Sequence, residues 1–211
     1  MDSHALAIAR NAKGFLDEDE GLRLFELARE GAKLGPVLEI GSYCGKSSIF
    51  LGAGAKEAGG LLACVDHHRG SEEHQVGEGY HDPDLFDAEA GALDTLSELR
   101  RNLHRAGLED SSLLLVASSS KAAAIAHAPL GMVFIDGGHS HEAAHRDYEL
   151  WAPRVAVGGI LAIHDLFPDP NEGGQAPIEI YRRALASGVF QELPTTKTLG
   201  VLRRSSPEPI G

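Results

Sequence analysis

Residues 37–48, VLEIGSYCGKSS, contain the clearest indication of the fold. The first part of this stretch, residues 37–41, is a short apolar run that ends in glycine, which is typical of a buried strand. The residues that follow, 46–58, suit a helix that stops at Gly59-Gly60. A buried strand that turns through glycines into a helix predicts one unit of a parallel sheet covered by helices on both faces.

The alternation of strand and helix continues on both sides of this stretch. Four further strands are predicted at 61–66, 112–117, 131–136 and 160–165. Helices are predicted at 4–12, 18–33, 91–106, 119–127, 140–151 and 176–187. Two last strands, 189–193 and 199–204, have a short connection that allows an antiparallel hairpin at the sheet edge. We therefore predict an α/β fold of the Rossmann-like, doubly wound type. Its seven-stranded sheet is mostly parallel, with an antiparallel edge strand and N-terminal cap helices.

Length and composition limit the class of protein. The 211 residues favour one domain, with a helical cap at 1–34 and a polar loop at 67–90 as a substrate lid. The net charge of −12 disfavours nucleic acid and anionic membranes as partners. The first residues lack a basic stretch followed by an apolar one, and the two cysteines lie in different elements. A cytoplasmic location is the expectation.

The glycine spacing after the first strand points to a ligand at this edge of the sheet. Glu39, Gly41 and Gly45 form E-x-G-x-x-x-G, which differs from the G-x-G-x-x-G of dinucleotide binders. In open α/β sheets, ligands bind outside the carboxyl ends of the strands. A plain strand-to-helix turn is the alternative.

Polar residues follow the second and third strands. Asp66 stands where an acid can accept hydrogen bonds from both ribose hydroxyls of a nucleoside. The alternative is that Asp66 only caps a helix or lies in a loop. Of His67 and His68, one should face the cleft, since neighbouring side chains alternate along a strand. Of the serines at 118–120, one should cap the next helix and a second is placed to touch a base edge.

A divalent metal site is predicted after the fourth and fifth strands. Asp136, His164 and Asp165 would meet there around one ion. Carboxylates suit Mg²⁺, and the imidazole extends the choice to Mn²⁺, Fe²⁺ or Zn²⁺. Each of these residues taken alone is more often a helix cap or a core histidine.

These residues together resemble class I S-adenosylmethionine-dependent methyltransferases over about residues 36–165. VLEIGSYCGKSS resembles the first motif of that family, and CVD at 64–66 resembles its second. The stretches VFIDGGHSHEAAHRDYELW, 133–151, and GGILAIHD, 158–165, are similar to a narrower branch. That branch contains macrocin and mycinose-type, metal-dependent sugar O-methyltransferases and cephalosporin-hydroxylase-like proteins.

The resemblance implies S-adenosylmethionine as cofactor and assigns residues to it. The glycines would line its methionine part, Glu39 would organise the loop and reach the amino group, and Asp66 would hold the ribose. The implied cofactor-binding residues are Glu39, Gly41, Ser42, Tyr43, Gly45, Ser47, Asp66, His67, Ser118, Ser119, Asp136 and Gly137.

The resemblance also implies bound Mg²⁺ and a general base. Asp136 and Asp165 would be metal ligands, and His164 replaces an acid of some relatives. Gly138 stands where the family has its aspartate base. The base expected in its place is His139, followed by His67 or His68, with His141 last because it is predicted to lie on a helix.

The polar lid favours a hydroxyl-rich small-molecule acceptor, a sugar or glycoside before a phenolic or other small natural product. Similar enzymes pair through the N-terminal segment or the lid, so a homodimer is expected. The alternatives are an NAD-dependent oxidoreductase, a module that only binds, and a metal-dependent hydrolase. The hydrolase would use four histidines, His67, His68, His74 and His81, as a separate site.

Overall fold

The computed structural model of the chain describes residues 1–75, 77, 79 and 81–210. The lid positions Val76, Glu78 and Tyr80 lie outside the described residues, as does Gly211. Among the described residues, no helix combines the length and the apolarity that crossing a bilayer requires.

A seven-stranded sheet forms the centre of the molecule, in the order β5-β2-β1-β6-β7-β9-β8. Its strands are β1 Val37–Ile40, β2 Leu62–Asp66, β5 Ser112–Val116, β6 Leu130–Ile135, β7 Val155–Ile163, β8 Phe190–Thr196 and β9 Leu199–Arg204. The strands β5, β2, β1, β6 and β7 are parallel, while β9 runs antiparallel to both β7 and β8. The predicted Rossmann-like, mostly parallel sheet is confirmed, and its antiparallel edge consists of the last two strands.

Helices cover both faces of the sheet. They are α1 Ser3–Asn11, α2 Glu18–Gly31, α3 Lys46–Glu57, α4 Leu96–Arg105, α5 Ser119–Ala123, α6 His141–Trp151 and α7 Ala176–Ala186. Consecutive residues of β1 face opposite layers: Val37 packs in one core with Phe25 and Phe50, and Leu38 in the other with Trp151. This is why the central strands are apolar at every position and show no alternation.

The structure differs from the predicted elements most clearly in two places, and in addition the helix predicted at 119–127 already ends at Ala123. The helix predicted at 91–106 begins only at Leu96, because a small hairpin, β3 Phe86–Asp87 and β4 Ala92–Leu93, precedes it. Leu93 is buried against Leu85 and Cys44, so its apolar side chain belongs to the hairpin and not to a helix stripe. The carboxyl end of the lid segment therefore contains the first strand of this hairpin.

The second difference is the start of β7. We expected Gly158-Gly159 to precede the strand, but β7 already begins at Val155. Gly158 has a φ of +86°, and the pairing with β6 shifts register between Leu130 and Met132. The glycines thus form an irregularity inside the strand, of the kind that bulges produce. The far end of the strand stops at Ile163, so His164 and Asp165 follow it directly.

Helix α2 packs against β6 through two glycines. A Cβ atom on Gly131 would lie 1.9 Å from the Gly31 carbonyl oxygen and 2.7 Å from that of Gly35. Backbone atoms of a packed helix and strand cannot move aside easily. We expect Gly131→Ala to lower the free energy of unfolding by about 3 kcal/mol, the scale of an overpacked core.

Denaturant unfolding of the two alanine variants Gly131→Ala and Gly79→Ala checks this expectation. Gly79 has open space where a Cβ would stand and does not have a left-handed φ, so its variant is the matched control. The control should stay within about 0.5 kcal/mol of the parent. Equal stability of both variants would show that the helix does not lie this close to the strand.

Candidate active site

A cavity of about 370 Å³ opens at the carboxyl edge of the sheet. Residues following β1, β2, β5, β6 and β7 all line it, as expected for ligand sites in open α/β sheets. Thirteen of the predicted residues line this one cavity: Gly41, Ser42, Tyr43, Ser47, Asp66, His67, Ser118, Ser119, Asp136, Gly137, His139, His164 and Asp165. Three others do not line it: Glu39, Gly45 and His68.

Gly41 allows the ends of β1 and β6 to meet. Its φ is +86°, and a Cβ there would lie 2.0 Å from the carbonyl oxygen of Asp136. No side chain fits this space, because the neighbour is backbone. The glycine is therefore required by the approach of the two strand ends, before any ligand is considered.

Asp66 holds the loop that follows β1. Its Oδ2 accepts hydrogen bonds from the backbone N–H groups of Ser42, at 3.0 Å, and Tyr43, at 2.8 Å. Its Oδ1 accepts from the N–H of His68 at 2.7 Å. Tyr43 has a φ of 45°, an uncommon conformation for a non-glycine residue, which these bonds stabilise. Each carboxylate oxygen has two lone pairs, so capacity remains for a ligand hydroxyl.

Glu39 and Gly45 lie beneath this loop and not in the cavity. Glu39 is fully buried, and its Oε2 accepts from the hydroxyl of Ser48 at 2.5 Å. Burial raises the pKa of Glu39 to about 7. Gly45 has a φ of +89°, and a Cβ there would lie 2.6 Å from Leu99 Cδ1. The structure gives both residues a role in shaping the loop and the start of α3.

The two histidines after β2 point different ways. His67 lines the cavity, and its Nδ1 accepts from the N–H of Arg69 at 3.1 Å, so its own proton lies on Nε2. His68 is only 3% exposed and lies with its Nδ1 2.7 Å from the hydroxyl of Thr95. Burial lowers the pKa of His68. This corrects the expectation that His68 can serve as a base, because its ring does not reach the cavity.

Three ligand-type side chains meet on the floor of the cavity. One ligand atom each of Asp136, His139 and Asp165 lies within 4.8 Å of the others, and His139 Nε2 is 3.2 Å from Asp165 Oδ2. Burial opposes ionisation of Asp165, but His139 and His164 outweigh it and lower its pKa. Two carboxylates and an imidazole fit a divalent ion such as Mn²⁺, Fe²⁺ or Zn²⁺, and Mg²⁺ less well because of the nitrogen.

His164 lies between carboxylates and not in this group. Its Nδ1 is 3.1 Å from Asp136 Oδ1 and 3.4 Å from Asp165 Oδ1, and its Nε2 is 3.0 Å from Glu20 Oε2. Burial alone would lower the pKa of His164, but these carboxylates raise it to about 11. The described group whose ligand atoms lie within 4.8 Å of one another contains His139 and not His164, so the geometry favours His139 as the third ligand.

Glu20 is a site residue that sequence reasoning missed. It is 2% exposed, and its Oε1 accepts from both the N–H and the hydroxyl of Thr198 at 2.8 Å. Burial opposes its ionisation, but the His164 ring outweighs this and lowers its pKa. The only sequence signal was D-x-x-E at 17–20, which forms a capping box at the start of α2. A capping box predicts a helix start and not a contact with His164, 144 positions along the chain.

Three rings stand together along the outer part of the cavity. The ring centroids of Phe15 and Tyr43 are 6.1 Å apart, and those of Tyr43 and His74 are 5.2 Å apart. Phe15 is 66% exposed, which is unusual for a large apolar side chain beside a polar cavity. These three residues are called the ring cluster below.

The second predicted metal site does not form among the described residues. Neither candidate metal-holding group in this part of the chain includes any of the four histidines proposed for a hydrolase, His67, His68, His74 and His81. The ring of His68 is buried, while that of His74 belongs to the ring cluster. The structure thus offers no support for the hydrolase alternative.

Glu20→Gln tests the buried network around His164. The variant keeps the shape of the side chain but removes the charge facing the imidazolium, and breaking a buried ion pair from one side costs about 3 to 5 kcal/mol. We expect that loss in the free energy of unfolding, measured by denaturant titration at pH 7. The matched control is Glu18→Gln, whose exposed partner is Arg10, and it should change stability far less. Equal effects would contradict the network.

The comparisons with known proteins identify the family. A family model described as a methyltransferase domain matches residues 38–166, more than half of the chain. The structure of the O-methyltransferase TomG of Streptomyces achromogenes, involved in tomaymycin synthesis and solved with SAM, has a TM-score of 0.66 at 17% identity, covering 98% of this chain and 92% of that one.

Two further solved structures share the fold. The O-methyltransferase of Bacillus cereus in complex with SAH has a TM-score of 0.64 at 15% identity, covering 98% of this chain and 92% of that one. An SAH-bound methyltransferase of Podospora anserina has a TM-score of 0.67 at 14% identity, covering 98% and 89%. Together with the family match, they confirm the resemblance to class I methyltransferases, and the chain belongs to the methyltransferase domain family.

Proposed function

We propose that the protein is an S-adenosylmethionine-dependent O-methyltransferase, assisted by a divalent metal, that acts on a hydroxyl of a sugar, glycoside or other small natural product. One observation carries the proposal. The loop held by Asp66 and the group Asp136, His139 and Asp165 line one cavity in a chain of the methyltransferase family. The NAD-dependent and hydrolase alternatives lack such support.

The donor half of the cavity is the side built by the loop after β1 and the ends of β2 and β5. S-adenosylmethionine supplies a methyl group on a sulfonium, which is already a strong electrophile. The chain supplies binding and orientation through the backbone at Gly41, the Asp66 carboxylate and the serines that begin α5. Ser119 accepts a hydrogen bond from Trp151 Nε1 at 2.7 Å, so Ser118 is the freer of the two serines for an adenine edge. The fold shared with SAM-bound TomG supports this choice of donor.

The metal would be held by Asp136, His139 and Asp165. A divalent cation bound there lowers the pKa of an acceptor hydroxyl that touches it. The three carboxylates around His164 outnumber its one positive charge, so the site keeps an excess of negative charge that favours a cation.

The position of His139 changes its predicted role. A histidine that ligates a metal through its lone pair cannot accept a proton at the same atom. His139 lies 3.2 Å from Asp165 in the ligand group, so we assign it to the metal. His67 carries its proton on Nε2, which suits donation of a hydrogen bond to a bound hydroxyl.

The acceptor half of the cavity is the side of the ring cluster. A flat ring or the apolar face of a sugar stacks on aromatic side chains, while hydroxyls need polar partners. Glu72 and the half-buried Lys46 line the same cavity and supply polar groups. This combination supports an acceptor that is both ring-shaped and hydroxylated.

Asp66→Ala and Phe15→Ala separate the two halves. We expect Asp66→Ala to weaken S-adenosylhomocysteine binding at least about tenfold, because one lost charge-assisted hydrogen bond is worth roughly 1.5 to 3 kcal/mol. Phe15→Ala should leave that affinity unchanged and raise the KM for the acceptor. Calorimetry measures the first quantity and turnover the second. Unchanged affinity in Asp66→Ala would refute the donor assignment.

Asp136→Asn and Asp165→Asn test the metal. Each variant should lose metal-dependent turnover, while its circular dichroism spectrum should remain that of a folded protein. The parent enzyme should lose its rate in EDTA and regain it with Mn²⁺, and to a smaller extent with Mg²⁺. If the parent enzyme keeps its full rate in EDTA, the methyl transfer does not depend on a metal and this part of the proposal is wrong.

A further inference from the structure

We propose that His141, His145 and Glu179 form a second cation site that takes a borderline transition metal such as Zn²⁺, Co²⁺ or Ni²⁺. It shares no ligand with Asp136, His139 and Asp165, and the proposed methyl transfer does not use it. The site lies outside the cavity, between helices α6 and α7.

The geometry brings three ligand atoms to one point. His141 and His145 are four residues apart on α6, so they share a helix face. Their rings stack with centroids 4.1 Å apart and planes 24° apart. Glu179 of α7 places its Oε2 3.5 Å from His141 Nε2 and 3.3 Å from His145 Nε2. All three ligand atoms lie within 4.8 Å of one another.

The chemistry of the group selects the class of metal. Two histidines and one glutamate are a known ligand set for zinc, with a remaining position for water. Imidazole suits Zn²⁺, Ni²⁺ and Cu²⁺, whereas Mg²⁺ and Ca²⁺ require oxygen ligands. The group therefore differs in preference from the carboxylate-rich group on the cavity floor.

Two nearby positive features strengthen the preference for a transition metal over Mg²⁺ or Ca²⁺. Helix α6 begins at His141, so the positive end of its dipole is close. Arg183 Nη1 lies 3.5 Å from His145 Nδ1, although the same nitrogen donates to Glu149 at 2.7 Å. These positive charges disfavour a cation that binds by charge alone. A transition metal coordinated strongly by the two imidazole Nε2 atoms overcomes their repulsion. Arg183 then keeps its hydrogen bond to Glu149.

An ion at this point would join α6 to α7. Both helices contribute to the same core layer, through Tyr148 and Trp151 of α6 and Ile180 of α7. His141 follows His139 by only two positions, so an ion held there also fixes the segment that carries His139. We therefore expect this metal to raise thermal stability without touching substrate.

The test uses untagged full-length protein carrying His139→Ala, which removes the imidazole of the group on the cavity floor and leaves the carboxylates around His164 in place. Calorimetric titration with Zn²⁺ should still show one equivalent bound, and Zn²⁺ should raise the Tm. Adding His145→Ala should abolish both effects. Adding Glu179→Gln, a milder change at an exposed position, should weaken binding at least tenfold.

The matched control is His104→Ala in the same background. His104 is exposed and lies 2.6 Å from Glu109, so it is a surface histidine–carboxylate pair without a second histidine. It should leave the bound equivalent unchanged. The proposal is overturned if the background protein binds no Zn²⁺ at micromolar concentration, or if His145→Ala and Glu179→Gln bind as much as His104→Ala. Neither result bears on methyl transfer, which is measured separately.

Discussion

A buried imidazolium surrounded by carboxylates organises this molecule. His164 stands at the end of β7 and meets Asp136 from the end of β6 and Glu20 from the first turn of α2. Through Glu20 the same network reaches Thr198, in the turn between β8 and β9. One charged ring thus ties the N-terminal cap, two central strands and the antiparallel edge to a single point.

This network also determines what the cavity can hold. His164 compensates only part of the negative charge, and its Nδ1 lies against Oδ1 of both Asp136 and Asp165. One ligand atom each of Asp136, Asp165 and His139 lies within 4.8 Å of the others, and this is the group that we propose for a cation. The loop that Asp66 holds meets the same edge because Gly41 lets β1 approach the backbone of Asp136. The loop after β1 and the group of Asp136, His139 and Asp165 are therefore adjacent because of the backbone packing at Gly41, independently of any ligand.

The sheet was predictable because its physical causes are local. Apolar runs bounded by glycines mark buried parallel strands, and the acids after β2, β6 and β7 lie at their ends as a consequence of topology. Predictions failed where a residue's partner was distant in sequence or where one pattern had two meanings. Leu93 matched a helix stripe but packs in a hairpin, and the contact of His164 with Glu20 has no signal in the sequence. His68 has a positive φ and its ring is buried against Thr95, which simple alternation of side chains along a strand does not predict.

We expect the methyl donor and the cation to share one reaction centre. Nuclear magnetic resonance of S-adenosylmethionine carrying a ¹³C-labelled methyl group, bound to the enzyme with one equivalent of Mn²⁺, measures this directly, because a paramagnetic ion broadens only nearby nuclei. The bound methyl signal should be strongly broadened, and the broadening should be absent when diamagnetic Mg²⁺ replaces Mn²⁺. A bound methyl signal that stays narrow while Mn²⁺ occupies the site would contradict this expectation.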